Sequence, residues 1–178
     1  MFFITGNKHK YEEAKIIVGN DIEMLSISYP EIQADTPEEV ARYGIEYLKE
    51  RIDGNFFIED SGLFIEALNG FPGVYSSYVF RTIGNEGILK LMEGVEKRKA
   101  KFVSVVGYYD GDIHIFRGES RGVIAYEIKG SEGFGYDPIF IPEGDERTFG
   151  EMKREEKNLF SHRGKAMKKL KEYLASRI

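Results

Sequence analysis

Two apolar runs, Phe102–Tyr109 and Ile113–Phe116, meet at Asp110-Gly111, and that dipeptide between strand-forming residues specifies an antiparallel hairpin with a two-residue turn. The hairpin commits the middle of the chain to a sheet. What precedes it has a different rhythm. Phe2–Thr5 reads as a short buried strand broken by Gly6-Asn7, and a helix from about Lys8 sets Tyr11, Ala14, Ile17 and Val18 on one face. Ile22–Ile27 reads as a second strand, ended by Pro30. Thr36-Pro37-Glu38-Glu39 unites an N-cap Thr, a Pro at the first helical position and a Glu that closes a capping box, so a helix runs from there to about Arg51. Asn55–Ile58 is a further strand, apolar enough to be buried on both faces. After the Asn69–Gly73 loop, Ile88, Leu89 and Met92 mark a short helix ended by Gly94. Beyond the hairpin, Gly122–Ile128 reads as a strand, Ser131–Gly135 as a Gly-rich loop leading into Ile139-Phe140-Ile141, and the tail as helix. Alternating β and α, then antiparallel strands, then helix, predict a mixed α/β fold in which residues 1–178 form one domain of two lobes, with a cleft between them.

Composition narrows the function. No apolar run approaches the ~20 residues of a membrane span. The absence of cysteine removes disulfides, thiolate nucleophiles and Cys-ligated metals. A cytoplasmic protein fits both. The net charge of −5 is uneven: residues 151–178 hold nine Lys/Arg and four Glu, whereas the preceding 150 residues hold 16 Lys/Arg and 26 Asp/Glu. An acidic body argues against nucleic-acid binding and leaves room for a local anion site on the tail.

Two helix starts hold cations where the macrodipole disfavours them. Ser161 is the expected N-cap of a helix on Ala166, Met167, Leu170, Tyr173 and Leu174, which places His162 and Arg163 in its first turn, at a cost of up to roughly 1 kcal/mol per cation. Thr5-Gly6-Asn7-Lys8-His9-Lys10 repeats the conflict at the first helix, where Gly6 permits close backbone approach and the free N–H groups face phosphate oxygens. One bound polyanion would relieve both. Glu59-Asp60-Ser61-Gly62 ends the apolar strand Phe56-Phe57-Ile58, where carboxylates need a partner, and strand alternation turns Glu59 and Asp60 opposite ways. Asp60, beside the flexible Ser61-Gly62, is the candidate reacting group, and Glu31 at another strand end joins it as a candidate Mg²⁺ ligand. Phe134-Gly135-Tyr136-Asp137-Pro138 offers aromatic faces to a nucleobase and an acceptor in Asp137. Lys157 is one more cation ahead of the last helix, and His114, between Ile113 and Ile115, is expected at the surface.

This ordered set resembles the inosine triphosphate pyrophosphatase family, which acts on non-standard purine nucleoside triphosphates. The matching elements are Thr5-Gly6-Asn7-x-x-Lys10, Pro30-Glu31, Glu59-Asp60-Ser61-Gly62-Leu63, Gly70-Phe71-Pro72-Gly73, Phe134–Pro138, Glu156-Lys157-Asn158 and Ser161-His162-Arg163, spread over nearly the whole chain. The resemblance implies hydrolysis of ITP, dITP and XTP to monophosphate and pyrophosphate with Mg²⁺, a role in clearing deaminated purines, a long mixed central sheet flanked by helices, and a homodimer. It implies that Thr5–Lys10 form the triphosphate loop, that Glu31 and Asp60 serve the metal with Asp60 accepting a proton from water, and that Ser61 contacts substrate. Phe134–Asp137, Lys157, His162 and Arg163 then hold the base. One departure stands out. Where some members have further lysines, this chain reads Ala41-Arg42-Tyr43-Gly44 and Tyr75-Ser76-Ser77-Tyr78, leaving Arg42 or Arg81 as substitutes. Other readings are a Maf-type pyrophosphatase acting on pyrimidine or modified nucleotides, and a non-catalytic nucleotide-binding regulator.

Overall fold

The computed structural model describes residues 1–177. Six strands form one mixed sheet in the order β2-β1-β3-β4-β5-β6. β1 (Phe2–Ile4) runs parallel to β2 (Glu23–Leu25) and to β3 (Phe56–Ile65), and α1 (Lys8–Val18) connects β1 to β2. α2 (Pro37–Leu48) begins at the expected capping box: Thr36 accepts from the Glu39 N–H, and the Glu39 carboxylate accepts from the Thr36 N–H. It stops at Leu48 rather than Arg51.

β4 (Lys99–Tyr109) and β5 (Ile113–Ile124) form the predicted hairpin, antiparallel to β3. Its loop has three residues rather than two, because Tyr109 and Ile113 face each other across Asp110-Gly111-Asp112 and Gly111 takes a left-handed φ of 112°. Two strand predictions need correction for one reason, which is pairing. β4 matches β3 residue for residue from Phe56↔Tyr109 to Ile65↔Ala100, so β3 continues through Glu59-Asp60-Ser61-Gly62 instead of ending there, and Ser61-Gly62 is strand rather than flexible loop. Likewise β5 is continuous through Gly122 and ends at Ile124, where β6 (Phe140–Pro142) pairs with it.

Alternation on β3 sorts the core. Phe57 joins Phe3, Val106, Ala14 of α1 and Ala166, Met167 and Leu170 of α6 (His162–Ala175) on one face. Phe56 and Ile58 join Ala41, Ile45 and Leu48 of α2 on the other. A third cluster at the far end of the sheet unites Leu63, Phe102, Phe140 and Phe149 with Val79 of α3 (Ser76–Thr82) and Ile88 of α4 (Gly84–Leu91). The tail is two helices, since α5 (Arg154–Phe160) precedes α6. The start of α6 crosses β5 at Gly118, where a Cβ would fall 2.2 Å from the His162 carbonyl oxygen. That close approach seats His162 and Arg163 inside the molecule. Farther along α6, Lys165 Nζ donates to the Glu119 carbonyl and Lys169 Nζ to the Arg117 carbonyl, on a stretch of β5 that β6 does not cover. Near the other end of α6, His114 is half-buried beside Tyr173 and Asp110 rather than free on the surface, because Tyr173 folds over the hairpin end. None of the described helices is long and apolar enough to cross a membrane.

Candidate active site

β1 lies beside β3 only at Phe2↔Phe56 and Phe3↔Phe57 and ends at Ile4, whereas β3 runs on to Ile65. Along the stretch of β3 that outruns β1, a cleft of about 730 Å³ opens. It is lined by Thr5, Gly6, Asn7, His9 and Lys10 from the start of α1, by Glu31, by Asp60 and Ser61, by Phe134–Asp137, and by His162 and Arg163. Lys8 is exposed outside this lining, and Lys157 is buried outside it. Arg81 lines the cleft, while Arg42 does not.

The start of α1 is organised by its own side chains. Asn7 caps the helix by accepting from the Lys10 N–H at 3.2 Å, and Thr5 Oγ1 accepts from the Asn7 N–H at 3.1 Å. The Lys8 and His9 amides remain at the open helix end, where an α-helix has no internal acceptor for them.

Glu59 and Asp60 do face opposite ways, and their surroundings differ completely. Glu59 turns toward α1 and α6. Ser104 Oγ donates to it at 2.6 Å, Lys10 Nζ lies at 2.8 Å, and Arg163 Nε lies at 3.2 Å. Burial pushes the Glu59 carboxyl up, but Arg163 and Lys10 overcome that and hold it well below the usual range. From Glu59 the charges continue inward. Arg163 donates to Glu13 at 2.6 Å, Glu13 accepts from Lys157 at 2.5 Å, and Lys157 reaches Asp137 at 2.7 Å. Lys10, Glu59, Arg163, Glu13, Lys157 and Asp137 thus alternate in sign, and their formal charges cancel. A bound polyanion is therefore not what neutralises Lys10 and Arg163 here; the chain's own carboxylates do so.

Asp60 has no such company. It is half-buried, and its buried Oδ2 lacks a hydrogen-bond partner. Burial pushes the carboxyl up to about 7, with Lys10 opposing the shift and Glu59 and Glu31 adding to it. Burial, with the charges of Asp60, Glu31 and Glu59, also pushes the neighbouring Tyr29 phenol up and keeps it protonated. Among the described residues no cluster of three or more His, Cys, Asp or Glu side chains is arranged as a metal cage. A cation here would take Asp60 and Glu31 and complete its shell with water and substrate oxygens, which suits Mg²⁺.

The reading of His162 as a cation needs correction. Its ring is stacked on Phe102 with centroids 4.4 Å apart. Burial, then Arg163 and Lys157, pull its pKa well below 6.5, so the imidazole is neutral and Arg163 is the one cation in the first turn of α6. Ser161 caps that helix as expected, accepting from the Gly164 N–H at 2.9 Å. Arg163 also donates to Ser61 Oγ at 3.0 Å.

In the aromatic loop, His9 stacks on Phe134 at 5.2 Å, with Lys157 Nζ 4.7 Å from the same ring centroid. Asp137 accepts from the Phe134 N–H as well as from Lys157, which closes the loop on itself. Tyr136 donates its hydroxyl to the Ser76 carbonyl and meets Phe80 edge-on, fastening the loop to α3. Sequence reasoning missed Glu13 and Tyr29. Glu13 lies three residues after Lys10 and four before Ile17, on the stripe that helical periodicity buries, and that was the available signal.

Comparison with known proteins finds relatives over nearly the whole chain. The dITP/XTP pyrophosphatase of Thermococcus kodakarensis is 56% identical over 179 residues, covering 99% of this chain and 97% of that protein. The dITP/XTP pyrophosphatase of Pyrococcus horikoshii is 57% identical over 178 residues, covering 98% and 96%. Among solved structures, the Ham1 protein of Staphylococcus aureus superposes with a TM-score of 0.86 at 28% identity over 99% of this chain and 98% of that one. The HAM1 protein of Coxiella burnetii gives 0.85 at 30% identity over 98% of each. With the Ham1 family model also matching residues 1–173, the chain belongs to the Ham1 family.

Proposed function

We propose that this chain hydrolyses non-standard purine nucleoside triphosphates, ITP, dITP and XTP, to the nucleoside monophosphate and pyrophosphate, and so clears deaminated purines from the nucleotide pool. The observation that carries the reading is Asp60: a half-buried carboxylate, one oxygen of which is buried without a hydrogen-bond partner, at the side of a cleft that also holds an open helix start and an aromatic loop. The two relatives named above, both dITP/XTP pyrophosphatases, supply the substrate class.

In this reading residues 1–178 act as one pyrophosphatase domain of two lobes, cytoplasmic and paired as a homodimer. Asp60 and Glu31 hold Mg²⁺, which when bound polarises the phosphate oxygens. Asp60 accepts a proton from the water that attacks the α-phosphorus. The new bond forms from the water oxygen to the α-phosphorus. The bond from that phosphorus to the α–β bridging oxygen breaks, and pyrophosphate departs. Thr5–Lys10 hold the triphosphate, with the Lys8 and His9 amides turned to its oxygens.

The base lies at Phe134–Asp137, with His162 and Arg163 beside it and Lys157 behind the loop, where it holds Asp137. Arg163 is a permanent donor with no acceptor, and Glu13 and Ser61 fix its orientation. A donor directed at O6 accepts inosine and xanthine and opposes the 6-amino group of adenine, a mismatch that reaches about 10⁴-fold where a buried polar group is left unpaired.

A panel of ITP, dITP, XTP, ATP, GTP and pyrimidine triphosphates, with and without Mg²⁺, tests the reading. Pyrophosphate released from ITP and XTP, little from ATP or GTP, and none without metal is the expected result. Orthophosphate release, or a pyrimidine preference, would overturn it.

A further inference from the structure

The substrate named above is a polyanion, yet most cations around the cleft are already committed. Lys10 pairs with Glu59, Arg163 with Glu13 and Glu59, and Lys157 with Glu13 and Asp137. His162 is neutral through burial. Lys8 lies outside the cleft lining. Arg81 differs from all of these. It lines the cleft, it is exposed, and among the described residues no carboxylate lies within ion-pair distance of it.

Its setting fixes the base of the arm and leaves the tip free. Arg81 stands in the last turn of α3. That helix is tied down at its other end, where Ser76 Oγ accepts from the Leu63 N–H at 2.8 Å and the Ser76 carbonyl accepts from Tyr136. Ser77, one turn before Arg81, lines the same cleft. The guanidinium is charged at every relevant pH, and its planar fork of N–H groups matches phosphate oxygens two at a time.

We propose that Arg81 is a substrate-binding residue that grips the β- and γ-phosphates and stays with the departing pyrophosphate. The proposal rests on the triphosphate hydrolysis proposed above. It assigns the phosphate grip to a cation on α3, separate from the α1 start and from the buried charge chain. Because Arg81 is exposed and unpaired, its charge becomes engaged only when an anion enters.

The test compares wild type with Arg81→Gln and Arg81→Lys, using inorganic pyrophosphate and the phosphate-free nucleoside inosine as probes by calorimetry, alongside steady-state kinetics on ITP. Arg81→Gln should weaken pyrophosphate binding about tenfold or more and raise KM for ITP, as expected for loss of a charge-assisted hydrogen bond. Inosine binding should stay within about twofold, and Arg81→Lys should recover much of the pyrophosphate affinity. Unchanged pyrophosphate binding in Arg81→Gln overturns the proposal, as does an equal loss for inosine and pyrophosphate. The melting temperature of an exposed substitution should stay at the wild-type value, and a large fall in Arg81→Gln would also count against a binding role. A wild-type protein that binds pyrophosphate through Arg81 but releases none from ITP would overturn the proposed reaction and leave this assignment standing.

Discussion

Glu59 and Asp60 are neighbours in sequence, yet the protein treats them as opposites. On the α1–α6 face of β3, Glu59 meets a lysine, an arginine and a serine hydroxyl, and its carboxyl is held ionised. On the other face Asp60 keeps an oxygen without a partner, and its carboxyl is raised to about 7. The two-residue period of a strand makes this separation possible, because one step along the chain exchanges one environment for the other. Removing a compensated carboxylate strands the buried charges around it. A buried carboxylate oxygen without a partner carries a desolvation cost that folding has not offset.

Conservative amide substitutions test the contrast directly. Asp60→Asn should lower turnover of ITP by about 10²- to 10⁴-fold, as for loss of a proton acceptor, with nucleotide affinity kept within about tenfold. Its melting temperature should equal or exceed that of wild type, since a carboxylate with a buried, unsatisfied oxygen is removed. Turnover near wild type would show that Asp60 is not the reacting carboxylate. Glu59→Gln should do the reverse to the fold. It leaves Lys10 and Arg163 without their shared counter-charge, at a cost of about 3–5 kcal/mol in chemical denaturation. An unfolding free energy within about 1 kcal/mol of wild type would mean that the alternating charges are not energetically coupled.

A smaller effect comes from His162, where burial acts on a base instead of an acid. Its folded pKa lies well below 6.5, so below about pH 6.5 the unfolded chain takes up a proton that the folded chain refuses. The contribution of His162 is therefore full above that pH and falls as the pH drops, by up to about 1.4 kcal/mol per unit, until the folded pKa is reached. Asp60, raised to about 7, acts in the opposite direction over the same range. His162→Gln should flatten this slope in urea titrations between about pH 6.5 and 5. A slope equal to that of wild type would place the acid sensitivity elsewhere.

Helix caps are legible in the local sequence, whereas the length of the Asp110-Gly111 turn and the extent of the strands are set by pairing. The Thr36–Glu39 box and the Ser161 cap involve groups within three residues of each other, so residue types alone reveal them. The extent of β3 is different. Glu59-Asp60-Ser61-Gly62 resembles a strand end by composition, and only the register against Val106–Val103 of β4 keeps it extended. α3 escaped notice because Ser76-Ser77-Tyr78 has weak helical preference, and the bond from the Leu63 N–H to Ser76 holds it in place. Within the cleft, the conflict of cations at two helix starts was legible, but its resolution was not. The answer lay in Glu13, an acid that follows Glu12 on a helix and looks solvated until α5 and α6 fold over it.

The bonds from Lys165 and Lys169 to the carbonyls of β5 have a consequence for how these molecules meet one another. The outer edge of a sheet is a template on which another strand can grow, and exposed edges of this length promote aggregation. Here two ammonium groups occupy the acceptors at Arg117 and Glu119, and any strand that approached would have to displace both and accept their positive charge against its own backbone donors. The part of β5 that β6 leaves open is therefore closed by side-chain chemistry rather than by another strand. A second copy that joins this protein without displacing the two ammonium groups cannot pair a strand along this stretch of β5.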